Sequence, residues 1–267
     1  MKTTLVFFTV FFHMTCLLTQ VSAQPIAQYA ANEKKVAGNK APLQPQSSFS
    51  KSIDGISGET VVRQYIAALG GAQKLLQTQS LDFSGSINAS GMQLDFSERK
   101  EAPNLDYIAV SVDKDTIMRS VFDGKTGYNQ QVSQKVYLKP EEVTERNQDY
   151  LGLFNQLYYL DSNKSFTLDK IEKVTDNNQT FLKLDIAMPS GKVVSEYYAL
   201  KTFLLAKTAE QNKVRDSVTT TTKIFTEYKQ VNGVRFPCRI EVVKSYDGSE
   251  QRFDIVVDKT QINLPKK

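Results

Sequence analysis

The chain has 267 residues, of which 40% are hydrophobic and 23% charged, with 33 Lys and Arg against 29 Asp and Glu, one His and no Trp. A formal net charge of +4, with no run of four or more basic residues, offers nucleic acid or an anionic membrane surface little to hold, and the lack of Trp removes the strongest stacking side chain. The length suits one substantial domain better than two.

Met1 to Ala23 reads as a secretory leader. Lys2 gives the positive start, Leu5 to Leu18 is apolar apart from Thr9, His13 and Thr15, and Val21-Ser22-Ala23 presents the small residues that precede cleavage. The apolar run falls short of the roughly 20 residues of a membrane-spanning helix. Around Cys16, the residues His13-Met14-Thr15 lack the aliphatic and small positions of a bacterial lipobox, so acylation is not expected there. Cleavage before Gln24 takes His13 and Cys16 with it and lowers the charge to 4 − 1 = +3. The mature chain then holds no histidine and one thiol, Cys238, which rules out histidine triads, histidine-ligated metals, internal disulfides and CxxC chemistry. Cys238 shares a strand phase with Val234, Phe236, Ile240 and Val242 and reads as a small buried hydrophobe.

Gln24 to Gly58 is rich in Pro, Ser, Gln and Asn and poor in periodic apolar residues, the composition of a flexible tether. The folded domain is expected over 59–264. It opens with a helix over Glu59 to Leu69, whose stripe is Val61, Val62, Tyr65, Ile66 and Leu69, stopped by Gly70-Gly71 and followed by a short turn over Ala72 to Gln77. From Ser80 the period changes to 2. Met92, Leu94 and Phe96 alternate with polar residues, as do Ile108, Val110 and Val112, then Leu182, Leu184 and Ile186, then Phe253, Ile255 and Val257. Turn signals at Asp123-Gly124, Asp176-Asn177-Asn178, Ser190-Gly191, Asn232-Gly233 and Asp247-Gly248 join such runs into an antiparallel meander of roughly ten or eleven strands. Twist should curl a sheet of that size into an open half-barrel. One segment interrupts the pattern: Pro140-Glu141-Glu142 starts a helix predicted to run to about Leu160, with Gly152 weakening its middle, and its place in the meander puts it across the concave face as a lid.

This order of elements resembles the lipoprotein-carrier fold of the outer-membrane lipoprotein-sorting (LolA/LolB-like) proteins. More locally, Ala67-Ala68-Leu69-Gly70-Gly71-Ala72-Gln73-Lys74-Leu75-Leu76 leading into Ser80-Leu81-Asp82-Phe83-Ser84-Gly85 resembles the start of a family of secreted Bacteroidetes domains. So do Glu196-Tyr197-Tyr198-Ala199-Leu200-Lys201-Thr202-Phe203-Leu204-Leu205 and the stretch Glu227 to Pro237. Phe203 stands where that family commonly has glycine, which argues against its usual tight turn. The resemblance implies a periplasmic or outer-membrane-associated domain and suggests an acyl-chain cavity; it brings no catalytic residue and no cofactor.

Catalytic alternatives find little support. Ser111-Val112-Asp113-Lys114 has SxxK spacing, but on a strand residues three apart point to opposite faces, and Ser48 to Lys51 falls in the tether. No spacing selects a carboxylate pair, and Asp113-Lys114-Asp115 reads as a turn rather than a calcium site. Of Tyr197 and Tyr198, one should point inward and find a partner for its hydroxyl, most commonly a backbone carbonyl. The leading expectation is therefore a non-enzymatic carrier with a nonpolar hollow for lipid or lipoprotein acyl chains, lined by Tyr150, Leu153, Phe154, Leu157 and Tyr158 and binding no metal. The other is a structural or interaction module with the same sheet, a packed interior and an envelope protein as partner.

Overall fold

In a computed structural model, the structure describes residues 48–214 and 217–263. The leader, residues 24–47 of the expected tether, and Leu264 lie outside the described residues. Residues 48–57, expected to belong to the tether, are part of the folded body. They form a 3-10 turn at Ser48–Ser50 and a two-stranded ladder of β1 (Ser52–Ile53) and β2 (Ile56–Ser57). Phe49 has 0% exposure and stacks on Tyr159 with ring centroids 5.7 Å apart. One aromatic ring anchors a stretch whose average composition looks unstructured, because burial of that ring offsets ordering of its neighbours.

Helix α1 (Gly58–Leu69) starts where Ser57 accepts the Thr60 N–H, and buries Val61, Val62, Tyr65 and Leu69. It stops at Gly70, which has φ of 129°, and a Cβ at that position would lie 2.3 Å from the Gly233 carbonyl oxygen. Glycine is required there on two grounds, backbone conformation and contact with a hairpin tip. Helix α2 (Ala72–Gln77) follows and buries Leu75.

The rest is one thirteen-stranded antiparallel sheet. The first half is β3 (Ser80–Ala89), β4 (Met92–Glu101), β5 (Leu105–Val112), β6 (Asp115–Phe122), β7 (Gly127–Gln131) and β8 (Gln134–Tyr137). The second half is β9 (Thr167–Asp176), β10 (Gln179–Ala187), β11 (Val193–Ala199), β12 (Leu205–Val214), β13 (Ser217–Val231), β14 (Val234–Tyr246) and β15 (Ser249–Ile262). The order is β8-β7-β6-β5-β4-β3-β15-β14-β13-β12-β11-β10-β9. Two meanders, rather than one, are joined at the middle by β15 and β3, from Phe253 opposite Ala89 to Ile262 opposite Leu81. Short type I′-like tips make the hairpins, with positive φ at both Asn177 and Asn178, Asn232 and Gly233, and Asp247 and Gly248. Asp113 and Lys114 also have positive φ and form such a tip, the plain turn expected of them. The Ala199 to Leu204 turn forms despite its missing glycine: Phe203 itself takes φ of 56° and donates its N–H to the Ala199 carbonyl at 2.8 Å, while its ring packs against the core.

The sheet curls without closing, helped by register shifts in β5–β6, β9–β10, β11–β12, β13–β14 and β15–β3. One apolar cluster spans both halves of the sheet, bringing Phe96, Val110 and Met118 together with Cys238, Val242 and Phe253. Cys238 is buried and free. Helix α1 fills the concavity against Leu182, Leu184, Tyr198 and Phe236.

The connection from β8 to β9 joins opposite edges of the sheet, so residues 138–166 have to cross its concave face. The predicted helix is half as long as expected: α3 runs over Pro140–Asp149, followed by an irregular segment and a 3-10 turn at Asn155–Leu157. Its start is as read, with Pro140 in the first turn and the Lys139 N–H donating to Glu142 Oε2 at 2.7 Å. It ends because Tyr150 is extended and Gly152 has φ of 155°. The apolar residues Leu151, Leu153, Phe154 and Leu157 all follow α3, and within α3 only Asp149 is buried.

Truncating the aromatic anchor tests where the folded body begins. Phe49→Ala should lower stability by about 3–5 kcal/mol, the usual cost of emptying a buried aromatic site, measured as a fall in the urea midpoint with little change in slope.

Candidate functional site

The crossing segment leaves a hollow of about 410 Å³ between itself and the concave sheet. One wall comes from β4 and β5 with Phe122 of β6, the floor from β11, β12 and β13, and the roof from α3 and residues 150–159. The interior is therefore not jammed solid. Neither is it the nonpolar hollow expected, because eight carboxylates (Glu98, Glu101, Asp106, Glu142, Glu145, Asp149, Glu196, Glu210) and four cations (Lys100, Arg146, Lys192, Lys223) line it beside Ile108, Phe122, Leu153, Met188 and Val194.

The five residues expected to line one cavity are divided between two. Tyr150 and Leu153 border the large hollow, while Leu153, Phe154, Leu157 and Tyr158 border a second space of about 280 Å³ toward Leu75, Thr78 and Pro103. Phe154 turns its ring to Phe236, with centroids 6.2 Å apart, so it also serves as core. The division follows from the early end of α3: without a continuous helix, residues 150–158 share no single stripe.

The charged lining comes from the strand phase. Glu98 and Lys100 continue the inward phase of Leu94 and Phe96, Asp106 precedes Ile108 in phase, and Lys100 sits opposite Asp106 in the ladder. On the floor, Leu184, Glu196, Thr208, Lys223 and Val242 are successive cross-strand partners, as are Ile186, Val194, Glu210, Thr221 and Lys244. The signal that could have found these residues is a charge at an apolar phase position. Solvated faces carry charge by default, so each one was hidden among many ordinary charges until the facing strand was known.

Most of the charges are satisfied. Lys100 pairs with Glu98 at 2.9 Å, and that carboxylate raises the lysine pKa. Lys192 pairs with Glu145 and lies 3.9 Å from Glu210. Asp149 accepts the Ser190 N–H at 3.0 Å and the Ser190 hydroxyl at 2.7 Å, fastening the end of α3 to the β10–β11 turn, and burial raises its pKa against those bonds. Asn155 completes the break in the helix by donating to the Asp149 carbonyl at 2.5 Å and accepting the Leu151 N–H at 3.0 Å.

Glu196 is the deepest acid of the site, at 3% exposure. It accepts hydrogen bonds from the Tyr198 hydroxyl, the Tyr159 hydroxyl at 3.0 Å and Gln156 Nε2 at 2.9 Å. Tyr198 is the inward member of its pair, and its partner is a carboxylate rather than a backbone carbonyl; Tyr197 faces out, with Lys207 Nζ 4.3 Å from its ring centre. Burial raises the Glu196 pKa above its ordinary value, opposed by the three donors. Two of those donors belong to the crossing segment, so this carboxylate clips the roof to the floor.

Asp106 and Lys223 are different. Asp106 forms no hydrogen bond or ion pair among the described residues, and its Oδ1 is buried without a partner. Burial raises its pKa, with Lys100 opposing. Lys223 has no ion-pair partner among the described residues; burial and then Lys100 lower its pKa, although its side chain still meets water within the hollow. Among the described residues no group of three or more His, Cys, Asp or Glu side chains could hold a metal ion.

The chain matches no family model and no curated protein. Among solved structures it is similar to a DUF1329 family protein from Desulfovibrio piger, with a TM-score of 0.49 and 10% identity over 78% of this chain and 94% of that one. It is similar also to a LolA superfamily protein from Nitrosomonas europaea, with a TM-score of 0.48 and 10% identity over 78% and 94% of the two chains. A third is an outer membrane lipoprotein-sorting protein domain from Vibrio parahaemolyticus, with a TM-score of 0.48 and 9% identity over 78% and 92%.

The Glu196 clip carries a pH signature. Its folded pKa lies above the ordinary 4.5, so its stabilising contribution is complete below the unfolded value and is lost as pH rises through the folded one. Urea midpoints measured from about pH 4 to about pH 8 should therefore fall less for Glu196→Gln than for the natural chain, since the amide does not ionise.

Proposed function

We propose that this protein is an exported, periplasmic, non-enzymatic carrier-type domain that holds an amphiphile, a lipid or a lipoprotein acyl chain, between its curved sheet and the crossing segment 138–166. The observation that carries this reading is the 410 Å³ hollow beneath that segment. A packed structural module would have no use for it, since empty space forfeits dispersion contacts on every side. The leader pattern of Met1 to Ala23 supports export.

The mixed lining suits an amphiphile better than a bare hydrocarbon. Ile108, Phe122, Leu153, Met188 and Val194 offer apolar contact along the walls, where each buried CH₂ contributes about 0.8 kcal/mol. The charges beside them would be left poorly solvated by a chain alone. A ligand with a polar head can satisfy them while its chain lies against the apolar wall. Nothing in the reading needs a nucleophile, a cofactor or nucleic acid.

Mass spectrometry after gentle, detergent-free purification should find an amphiphile bound to the natural chain. It should find none bound to Val194→Trp, in which the larger ring fills the floor while circular dichroism shows the same strand content. Consistent absence of any bound amphiphile from the natural chain would count against carriage and favour the structural or interaction module.

A further inference from the structure

The two unpartnered groups of the hollow carry opposite charge. The Asp106 carboxylate lacks any hydrogen-bond donor, and the Lys223 ammonium lacks any acceptor, among the described residues. They line the same hollow, within electrostatic reach of each other, and yet form no ion pair. A third group, Arg146 of α3, also forms no ion pair: its guanidinium lies over the Phe122 ring, 5.1 Å from the centre. Arg146 and Lys223 both act on Asp106 electrostatically, as do Lys100 and Glu98, which are already bound to each other. Thr208, directly opposite Lys223 in the ladder, lines the hollow beside it.

Leaving the buried Asp106 Oδ1 without a donor is costly, whereas Lys223 meets water and stands as a cation free to take an anionic partner. Every other carboxylate of the hollow has a partner. Glu98 and Glu145 pair with lysines, Glu101 with Arg99, Glu142 with the Lys139 N–H, Asp149 with Ser190, Glu196 with two tyrosines and a glutamine, and Glu210 with Asn212 at 3.3 Å. One carboxylate and two cations without ion-pair partners among the described residues, lining the same hollow, are the complement of a zwitterion.

We infer that the hollow is a headgroup site for a zwitterionic amphiphile, in which a primary ammonium donates to the Asp106 carboxylate and an adjoining anionic group lies against Lys223, with Arg146 and the Thr208 hydroxyl at hand. This rests on the carrier reading above and deepens it by naming the head. A primary ammonium is specified over a quaternary one because Oδ1 of Asp106 lacks a donor, and a quaternary ammonium has no N–H to give. A purely anionic head would satisfy Lys223 and leave Asp106 facing like charge. The chain of the ligand would lie along Ile108, Leu153, Met188 and Val194.

The test is calorimetric titration of the full chain with lysophospholipids of identical acyl chain, below their micellar concentration, bearing ethanolamine, choline or glycerol heads, and with free phosphoethanolamine. The ethanolamine lipid should bind roughly tenfold to a hundredfold more tightly than the other two, the scale of one or two charge-assisted hydrogen bonds. Asp106→Asn should erase most of that preference while leaving the choline lipid nearly unchanged, whereas Lys223→Met should weaken all three lipids roughly tenfold, since each carries the phosphate that lies against Lys223. Neither substitution removes an ion pair or hydrogen bond found in the fold, and urea midpoints no lower than that of the natural chain would confirm that both variants are intact. Equal binding of all three lipids, indifferent to the variants, would overturn the headgroup site and leave the carrier reading standing. Binding of free phosphoethanolamine with the same dependence on Asp106 and Lys223, but of no lipid, would uphold the site and overturn carriage. Binding of none of the four probes would overturn both.

Discussion

The rest of the structure follows from a connection that has to reach from one edge of the sheet to the other. β8 and β9 are adjacent in sequence and stand at opposite ends of a thirteen-stranded order, so residues 138–166 can only travel over a face. The sheet is curled, and its concave side is the one with apolar surface left to cover. The crossing segment is thereby committed to the concavity, together with α1. A 3-10 turn and a ten-residue helix do not fill that space as a continuous packed helix would, and the hollow is what remains.

The segment is held by polar contacts at chosen points rather than by an apolar stripe. Asp149 fastens the end of α3 to Ser190, Asn155 closes the loop behind it, and Gln156 and Tyr159 converge on Glu196 from the roof. Phe49 closes the far side through Tyr159, which also lies against Phe166 with ring centroids 4.9 Å apart. Such contacts fix geometry without filling volume, and that is how a roof can be anchored over an open space. The Glu196 clip buries a carboxylate, a costly arrangement made tolerable by three donors converging on it.

The charges inside the hollow give it an ordered interior rather than a general polarity. Lys100 and Glu98, and Lys192 and Glu145, neutralise each other locally, whereas Asp106, Lys223 and Arg146 line the hollow without an ion-pair partner among the described residues. Ile108, Met188 and Val194 line the same hollow as both sets.

Much of the framework was legible in the chain because it depends on short-range periodicity. The alternation at Leu94 and Phe96, Ile108 and Val110, and Leu182 to Ile186 gave the inward faces, the Asn and Asp pairs gave the hairpin tips, and Gly70-Gly71 gave the end of α1. Local pattern misled where a single contact outweighed it. Phe49 drew a Ser-rich stretch into the fold, Gly152 and an extended Tyr150 ended a helix that its apolar residues would have continued, and Phe203 accepted a left-handed conformation because its ring is packed.

By itself the sequence determined a curled antiparallel sheet, a capped first helix and an interrupting segment that crosses it, since each depends on residues close together along the chain. Only the tertiary structure decided that this sheet is two meanders joined through β15 and β3, and that Glu98, Lys100, Asp106, Glu196 and Lys223 face one interior. The reason is that a charge on a strand has the same local signature whether its face meets water or a roof. Which of the two it meets is set by strands and a crossing segment far away in the chain.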